Sequence, residues 1–260
     1  METRENTTMN MPVLALRGLT IFPGCILSFD VERDISIHAL ERAMEGDQYI
    51  FLVAQREMTA PQLSERDLYS VGTVSLIRQI LRIGEGTVRV MMEGKNRARL
   101  RRLWQTEPYL QGNVEPVREG KTRLSDFQLE ALLRQTYSNF AEYASLIPRL
   151  GDEIAVAVSE DRDPGHLADF IAQNIMLRHQ DRQAVLEEIR PVPRLRKVNE
   201  LLARETEVIS FEQELEGKIR REMGEVQREH IIREQIRLLQ QELGEDEDSE
   251  LTEYLSLITI

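Results

Sequence analysis

Between Pro193 and Gly244 the chain is an almost unbroken run of helix formers carrying a thin apolar stripe, and no other segment restricts the fold as strongly. The stripe runs through Leu195, Val198, Leu202, Ile209, Leu215, Ile219 and Val226 to Ile232, Ile236, Leu239 and Leu243. Gaps of four, three and four among the last four residues keep one seam on one side of a helix. At 1.5 Å rise per residue a continuous helix here would be roughly 75 Å long, several times the radius of a small domain. Such a helix cannot bury its whole stripe on a compact body of its own chain. It reads as a strut or coiled-coil arm that meets other chains or a downstream domain. Gly217 and Gly224 each cost it up to about 1 kcal/mol relative to alanine and mark weak points. The acidic run Glu245-Asp246-Glu247-Asp248-Ser249-Glu250 repels itself and reads as a linker.

Composition narrows the function class. A chain of 260 residues suggests about two domains. A formal net charge of -12 argues against a general binder of nucleic acid or anionic membrane. No stretch approaches the roughly 20 consecutive apolar residues of a membrane span. The polar, acidic start lacks the basic and apolar regions of a signal peptide. Cys25 is the single cysteine, so no internal disulfide can form. A cytoplasmic protein is expected.

Residues 1–10 are polar and expected to be disordered. From 11 to 118 the signals are mainly those of strands. Val13, Leu14 and Leu16 begin an extended run ended by the Pro23-Gly24 turn pair. Tyr49–Ala54 is continuously apolar, as in a strand buried on both faces. The runs from Val71 to Leu81 and from Thr87 to Met92, joined through Gly84-Glu85-Gly86, read as a hairpin. A helix is expected over Ser36–Met44 and another strand around Leu110–Val117. From 119 to 191 the pattern is helical. Ser125-Asp126-Phe127-Gln128 is a capping box opening a helix to about Ile147. A short helix follows at Asp152–Val158. Asp163-Pro164 supplies an N-cap and a first-turn proline for Leu167–Leu177, and Gln180–Ile189 forms one more. The expectation is an α+β chain: a mostly antiparallel β domain, a helical bundle, a long arm over 192–244 and an acidic tail over 245–260.

Short strings in fixed order resemble the N-terminal region of Lon, the ATP-dependent AAA+ serine protease. They include Pro12-Val13-Leu14-Ala15-Leu16-Arg17, Phe22-Pro23-Gly24, Val53-Ala54-Gln55, Tyr69-Ser70-Val71-Gly72-Thr73-Val74 and Gly86-Thr87-Val88-Arg89-Val90. Glu93-Gly94, Leu167-Ala168-Asp169-Phe170-Ile171-Ala172, Gln183 with Leu186-Glu187, Gln227-Arg228-Glu229, Glu234-Gln235 and Glu242-Leu243-Gly244-Glu245 continue the series. The resemblance implies a PUA-like β domain, a bundle and a long helix leading to a hexameric ATPase ring. It also implies selection of damaged or unfolded proteins and support of the homohexamer. The serine–lysine protease site and the ATP and Mg sites belong, on this resemblance, to domains beyond the given sequence, which ends atypically in Tyr254-Leu255-Ser256-Leu257-Ile258-Thr259-Ile260.

No residue constellation speaks for catalysis or a cofactor in this chain. The phosphate-binding pattern G-x-x-x-x-G-K-[ST] is absent, and Gly84-Glu85-Gly86 reads as a turn, with a carboxylate where phosphate would sit. No Gly-x-Ser-x-Gly elbow occurs. His38, His166, His179 and His230 are dispersed, without metal-ligand spacing; His166 reads as a solvated first-turn residue. Cys25 reads as a small apolar residue. Arg97, Arg99 and Arg101, with Lys95, Arg102 and Trp104 nearby, make a basic strand. It reads either as a phosphate or acidic-partner site or, more simply, as the solvated face of an edge strand.

The long helix is the best functional candidate. Met223, Ile231 and Ile232 widen its apolar surface beyond one seam and are the candidate contacts for unfolded clients. The leading expectation is a non-catalytic segment that recruits misfolded or regulatory proteins and helps a ring assemble. A stand-alone PUA-like module for nucleic acid or a small ligand is the alternative, and an undetected enzyme the third.

Overall fold

The computed structural model describes residues 8–57, 63–84, 86–120, 124–148 and 150–258. The chain divides into two compact units, Met1–Thr206 and Glu207–Ile260. The first seven residues of the stretch expected to be disordered lie outside the described residues, while Met9 and Asn10 already belong to a strand.

The first unit is α+β, as expected. Its strands are β1 (Met9–Leu16), β2 (Ile26–Val31), β3 (Tyr49–Ala54), β4 (Val71–Gly84), β5 (Thr87–Gln105) and β6 (Gln111–Pro116). They form one sheet in the order β2-β5-β4-β3-β1-β6, with β6 also pairing the far half of β5. All pairings are antiparallel except β1 with β3. The expected hairpin is the β4–β5 pair, and Gly86 turns it with a φ of 87°, a conformation that glycine adopts without strain. Helix α1 (Asp34–Met44) covers one opening and buries Ala39, Leu40 and Ala43 against Leu14, Ile50 and Val90. A second cluster around Val13, Phe51, Val74 and Val114 fills the other side of the sheet.

Helices α2 (Asp126–Ser145), α3 (Asp152–Glu160), α4 (Pro164–Asn174) and α5 (His179–Glu187) follow. Ser125 and Gln128 make the expected capping box of α2. Asp163 caps α4, its Oδ1 accepting from the backbone nitrogens of Gly165 and His166 at 2.8 and 2.7 Å. Helix α6 (Pro191–Ile258) starts two residues earlier than the sequence suggests. Pro191 and Pro193 fall in its first turn, where backbone N–H groups have no intrahelical acceptor to lose. Within the first unit its Leu195, Val198 and Leu202 are fully buried, and Asn199 Nδ2 donates to Thr136 Oγ1 of α2 at 2.9 Å.

In the second unit the helix runs on through Gly217, Gly224 and the acidic segment 245–250. Charge alone suggested a linker there; glutamate is a good helix former, and its helical propensity is not outweighed by charge repulsion. Leu215, Ile219 and Leu239 are exposed, as are Val208, Phe211 and Met223.

Candidate functional site

Two places in the first unit carry more chemistry than folding alone requires: a buried ionic junction and an exposed apolar face.

The junction begins at Arg97. Strand β5 is interior, paired with β4 on one side and with β2 and then β6 on the other, so the basic stretch is not an edge strand. This corrects the expectation of an edge strand, and at Arg97 also that of a solvated face. Arg97 is 2% exposed. Its Nη1 donates to Asp169 Oδ2 of α4 at 2.7 Å, its Nη2 grips the other carboxylate oxygen, and its Nε donates to the Leu186 carbonyl of α5 at 3.0 Å. Arg194 of α6, with no exposed surface, reaches Glu119 Oε1 at 2.7 Å and lies 3.2 Å from Asp169 Oδ1. Burial pushes the Asp169 carboxyl upward, while the Arg97 and Arg194 guanidiniums oppose that shift. A cleft of about 760 Å3 opens above these residues, lined also by Gly24, Lys95 and His166. Two arginines face two carboxylates on its floor, so their charges are mutually compensated.

Arg99 is half-buried, and Arg101 is exposed and paired with Glu115. The strict alternation fails because the β5–β6 register shifts between Leu100 and Arg102. Lys95 pairs with Glu93, and Trp104 Nε1 donates to Asn10 Oδ1 at 3.0 Å. The basic strand is therefore spent largely within the fold, which removes the main support for a nucleic-acid site. Cys25 is buried beside this junction, and burial, reinforced by the charge of Asp169, pushes its thiol up to about 12. That environment is inert, as expected.

His166 is solvated, as expected, but not free: Nδ1 lies 2.6 Å from Asp161 Oδ2 and its ring stacks on Phe170. His179 Nε2 lies 3.1 Å from the Gln55 carbonyl oxygen, and its ring meets Tyr69 edge-on. The His230 side chain lies outside what is described. Among the described residues no group of three His, Cys, Asp or Glu is placed to hold a metal, and no helix is long and apolar enough to cross a membrane.

The exposed face lies on β2, β5 and the hairpin end of β4. Val88, Val90 and Met92 point into the core, so Arg89, Met91 and Glu93 point out. Register places Ile26 opposite Glu93, and Met91 between Ser28 and Gln79; Leu81 stands opposite Arg89. Ile26, Leu81, Ile83 and Met91 are all exposed large apolar side chains. Arg89 to Asp30, at 2.7 Å, and Arg78 to Glu93 flank them with ion pairs. Sequence reasoning passed over these positions. The available signal was the run Leu76-Ile77…Ile80-Leu81…Ile83, apolar on both faces of a strand whose hairpin end has nothing to cover both.

Met223, Ile231 and Ile232 are 63%, 56% and 52% exposed on the second unit. Of the two candidate apolar surfaces, theirs belongs to the second unit and the sheet face to the first.

The model of the ATP-dependent protease La (LON) substrate-binding domain matches residues 10–204. The chain belongs to the Lon substrate-binding domain family. It is 38% identical over 257 residues to the Lon protease of Syntrophomonas wolfei, covering 98% of this chain and 31% of that one. With the Lon protease of Clostridioides difficile the identity is 34% over 249 residues, covering 94% and 32%; with Lon protease 1 of Bacillus subtilis it is 34% over 243 residues, covering 94% and 31%. The chain thus spans under a third of the length of these Lon proteases. In fold, it is similar to the N-terminal domain of a Mycobacterium avium complex Lon protease, with a TM-score of 0.60 and 22% identity over 75% of this chain and 98% of that one. The Lon N-terminal domain protein of Xanthomonas campestris follows, with a TM-score of 0.52 and 15% identity over the same shares.

Proposed function

We propose that this chain is the non-catalytic head of an ATP-dependent Lon protease and recruits unfolded or damaged proteins through the apolar face of β2, β4 and β5. The carrying observation is the cluster Ile26, Leu81, Ile83 and Met91, four exposed apolar side chains on one sheet end, rimmed by ion pairs. Such a patch on a family of substrate-binding domains suits weak contact with apolar segments that folded proteins hide. A second contact at Met223, Ile231 and Ile232, and self-association along the exposed stripe of α6, complete the reading. Several weak heads around a ring would raise the local concentration of a client. A reduced, carboxymethylated model protein tests it: binding should be measurable with the chain and weaken when Leu81 and Met91 are replaced by serine. Unchanged binding by that variant would remove the sheet face from the mechanism. Light scattering tests the assembly component, and a strictly monomeric chain would leave α6 without that role.

A further inference from the structure

Strand β2 is a sheet edge. It is the terminal strand of the order, and among the described residues its ladder partner is β5 alone. On the other side of the opening, β1 pairs with β6 only through Met9–Pro12, so Leu14–Leu16 have their ladder with β3 on one side only. Between these two incompletely paired strands lies a cleft of about 290 Å3, with Leu14, Leu19 and Phe29 among its apolar lining and Arg17, Asp30, Glu32 and Arg33 as its charged lining. The Arg33 Nη2 is buried there without a hydrogen-bond partner.

We propose that an extended client segment, apolar at alternate positions, adds to the free edge of β2 as a further strand. This rests on the client-recruiting reading above and specifies its mode. An unpaired strand edge offers N–H and C=O groups at strand spacing, and another extended backbone is the partner that satisfies them in register. The six residues Ile26–Val31 present roughly 20 Å of such edge. Side chains of the added strand alternate. Those on the inner side enter the cleft beside Phe29, Leu14 and Leu19, while those on the outer side lie next to Ile26, Ser28 and Asp30 of β2. The inner side is apolar and the outer side is polar beyond Ile26, which selects an amphipathic strand with aliphatic or β-branched residues at alternate positions. Arg33 Nη2 gains a carbonyl acceptor at the end of the strand. Folded proteins keep such strands paired within their own sheets, so an unfolded chain is what supplies one with a free edge.

The probe is a lysine-flanked peptide of five residues in which isoleucine alternates with threonine, with two analogues N-methylated at alternate positions, odd or even. N-methylation removes backbone donors along one edge and leaves every side chain. With the full chain, the parent peptide should bind and slow amide exchange across Ile26–Val31. One methylated analogue should bind about tenfold more weakly or worse, and the other should bind as the parent. Equal binding by all three overturns strand addition and leaves apolar recruitment standing. Protection appearing elsewhere, or binding of a carboxymethylated protein but not of the parent peptide, overturns it too. Failure of both the peptide and the unfolded protein to bind sinks the recruiting reading itself.

Discussion

Arg97 on β5 and Asp169 on α4 are joined across 72 residues of sequence by a two-pronged ion pair, with Nη1 2.7 Å from Oδ2, and both side chains are almost wholly buried. The pair is one of the ties between the sheet and the helices, alongside Gln183 Nε2, which donates to the Val71 carbonyl oxygen at 2.9 Å. Glu119 from the segment after β6 and Arg194 from the first turn of α6 complete it, so four chain segments meet at one charge cluster. Buried ion pairs give little net stability compared with apolar packing of the same volume, but losing one partner strands the others away from water.

Asp169→Asn should therefore be severe. It leaves two buried guanidiniums facing the half-exposed carboxylate of Glu119 alone. A loss of about 3–5 kcal/mol is expected from a broken buried pair, read as a lowered urea midpoint of the chain. A change below about 1 kcal/mol would mean that water reaches the cluster and that it is no fastening.

Gly165→Ala tests the same junction by volume instead of charge. A β-carbon at this position would lie 2.6 Å from Arg194 Nη2, 3.1 Å from Asp163 Oδ1 and 3.2 Å from Glu119 Oε2. Arg194 must shift and give up part of its grip. Despite alanine's better helix propensity, about 1–3 kcal/mol should be lost, as for overpacking. Thermal denaturation decides it; a raised melting temperature would show that Arg194 moves aside freely.

Local signals made most of the fold legible before any coordinates. Ser125 with Gln128, Asp163 with Pro164, and the Gly84–Gly86 turn each state a boundary within a few residues, and the period of the long helix is unmistakable. Arg97 was not legible for a different reason. Alternation says which face of a strand a residue occupies but not what covers that face, and here α4 and α5 do. The bulge beyond Leu100 then sends Arg101, of the same parity, into solvent. The exposed apolar face was missed because Met91 and Leu81 read singly as ordinary strand residues; only the register through Gln79 and Arg89 brings them together on an uncovered surface.

Cys25 should respond to pH in one direction only. Burial lifts its thiol from 9.0 to about 12. Below pH 9 both folded and unfolded chains hold the proton, and the thiol has no effect on the pH dependence of stability. Between pH 9 and 12 the unfolded chain releases it while the folded chain keeps it, so stability falls as pH rises, by up to about 1.4 kcal/mol per pH unit. Denaturation of the natural chain and of Cys25→Ala, compared at pH 8, 9 and 10, isolates this slope from the other titrating groups. Parallel curves would show that the thiol is not shielded. The native chain should also react sluggishly with a thiol reagent at pH 8, where an exposed cysteine reacts readily.

Leu81→Ser and Met91→Ser separate binding from folding. Both side chains are exposed on the outer face of the β4–β5 hairpin, so each change should alter stability by no more than about 0.5 kcal/mol. Their loss removes the centre of the apolar patch and leaves the Arg89–Asp30 and Arg78–Glu93 pairs in place. Affinity for a carboxymethylated unfolded protein should drop about fivefold or more for the double variant, the effect of roughly 1 kcal/mol of lost apolar contact. Met223→Ser with Ile231→Ser and Ile232→Ser supplies the matching test on α6. If the α6 variant loses binding and the hairpin variant does not, clients are held by the helix and the sheet face has another partner.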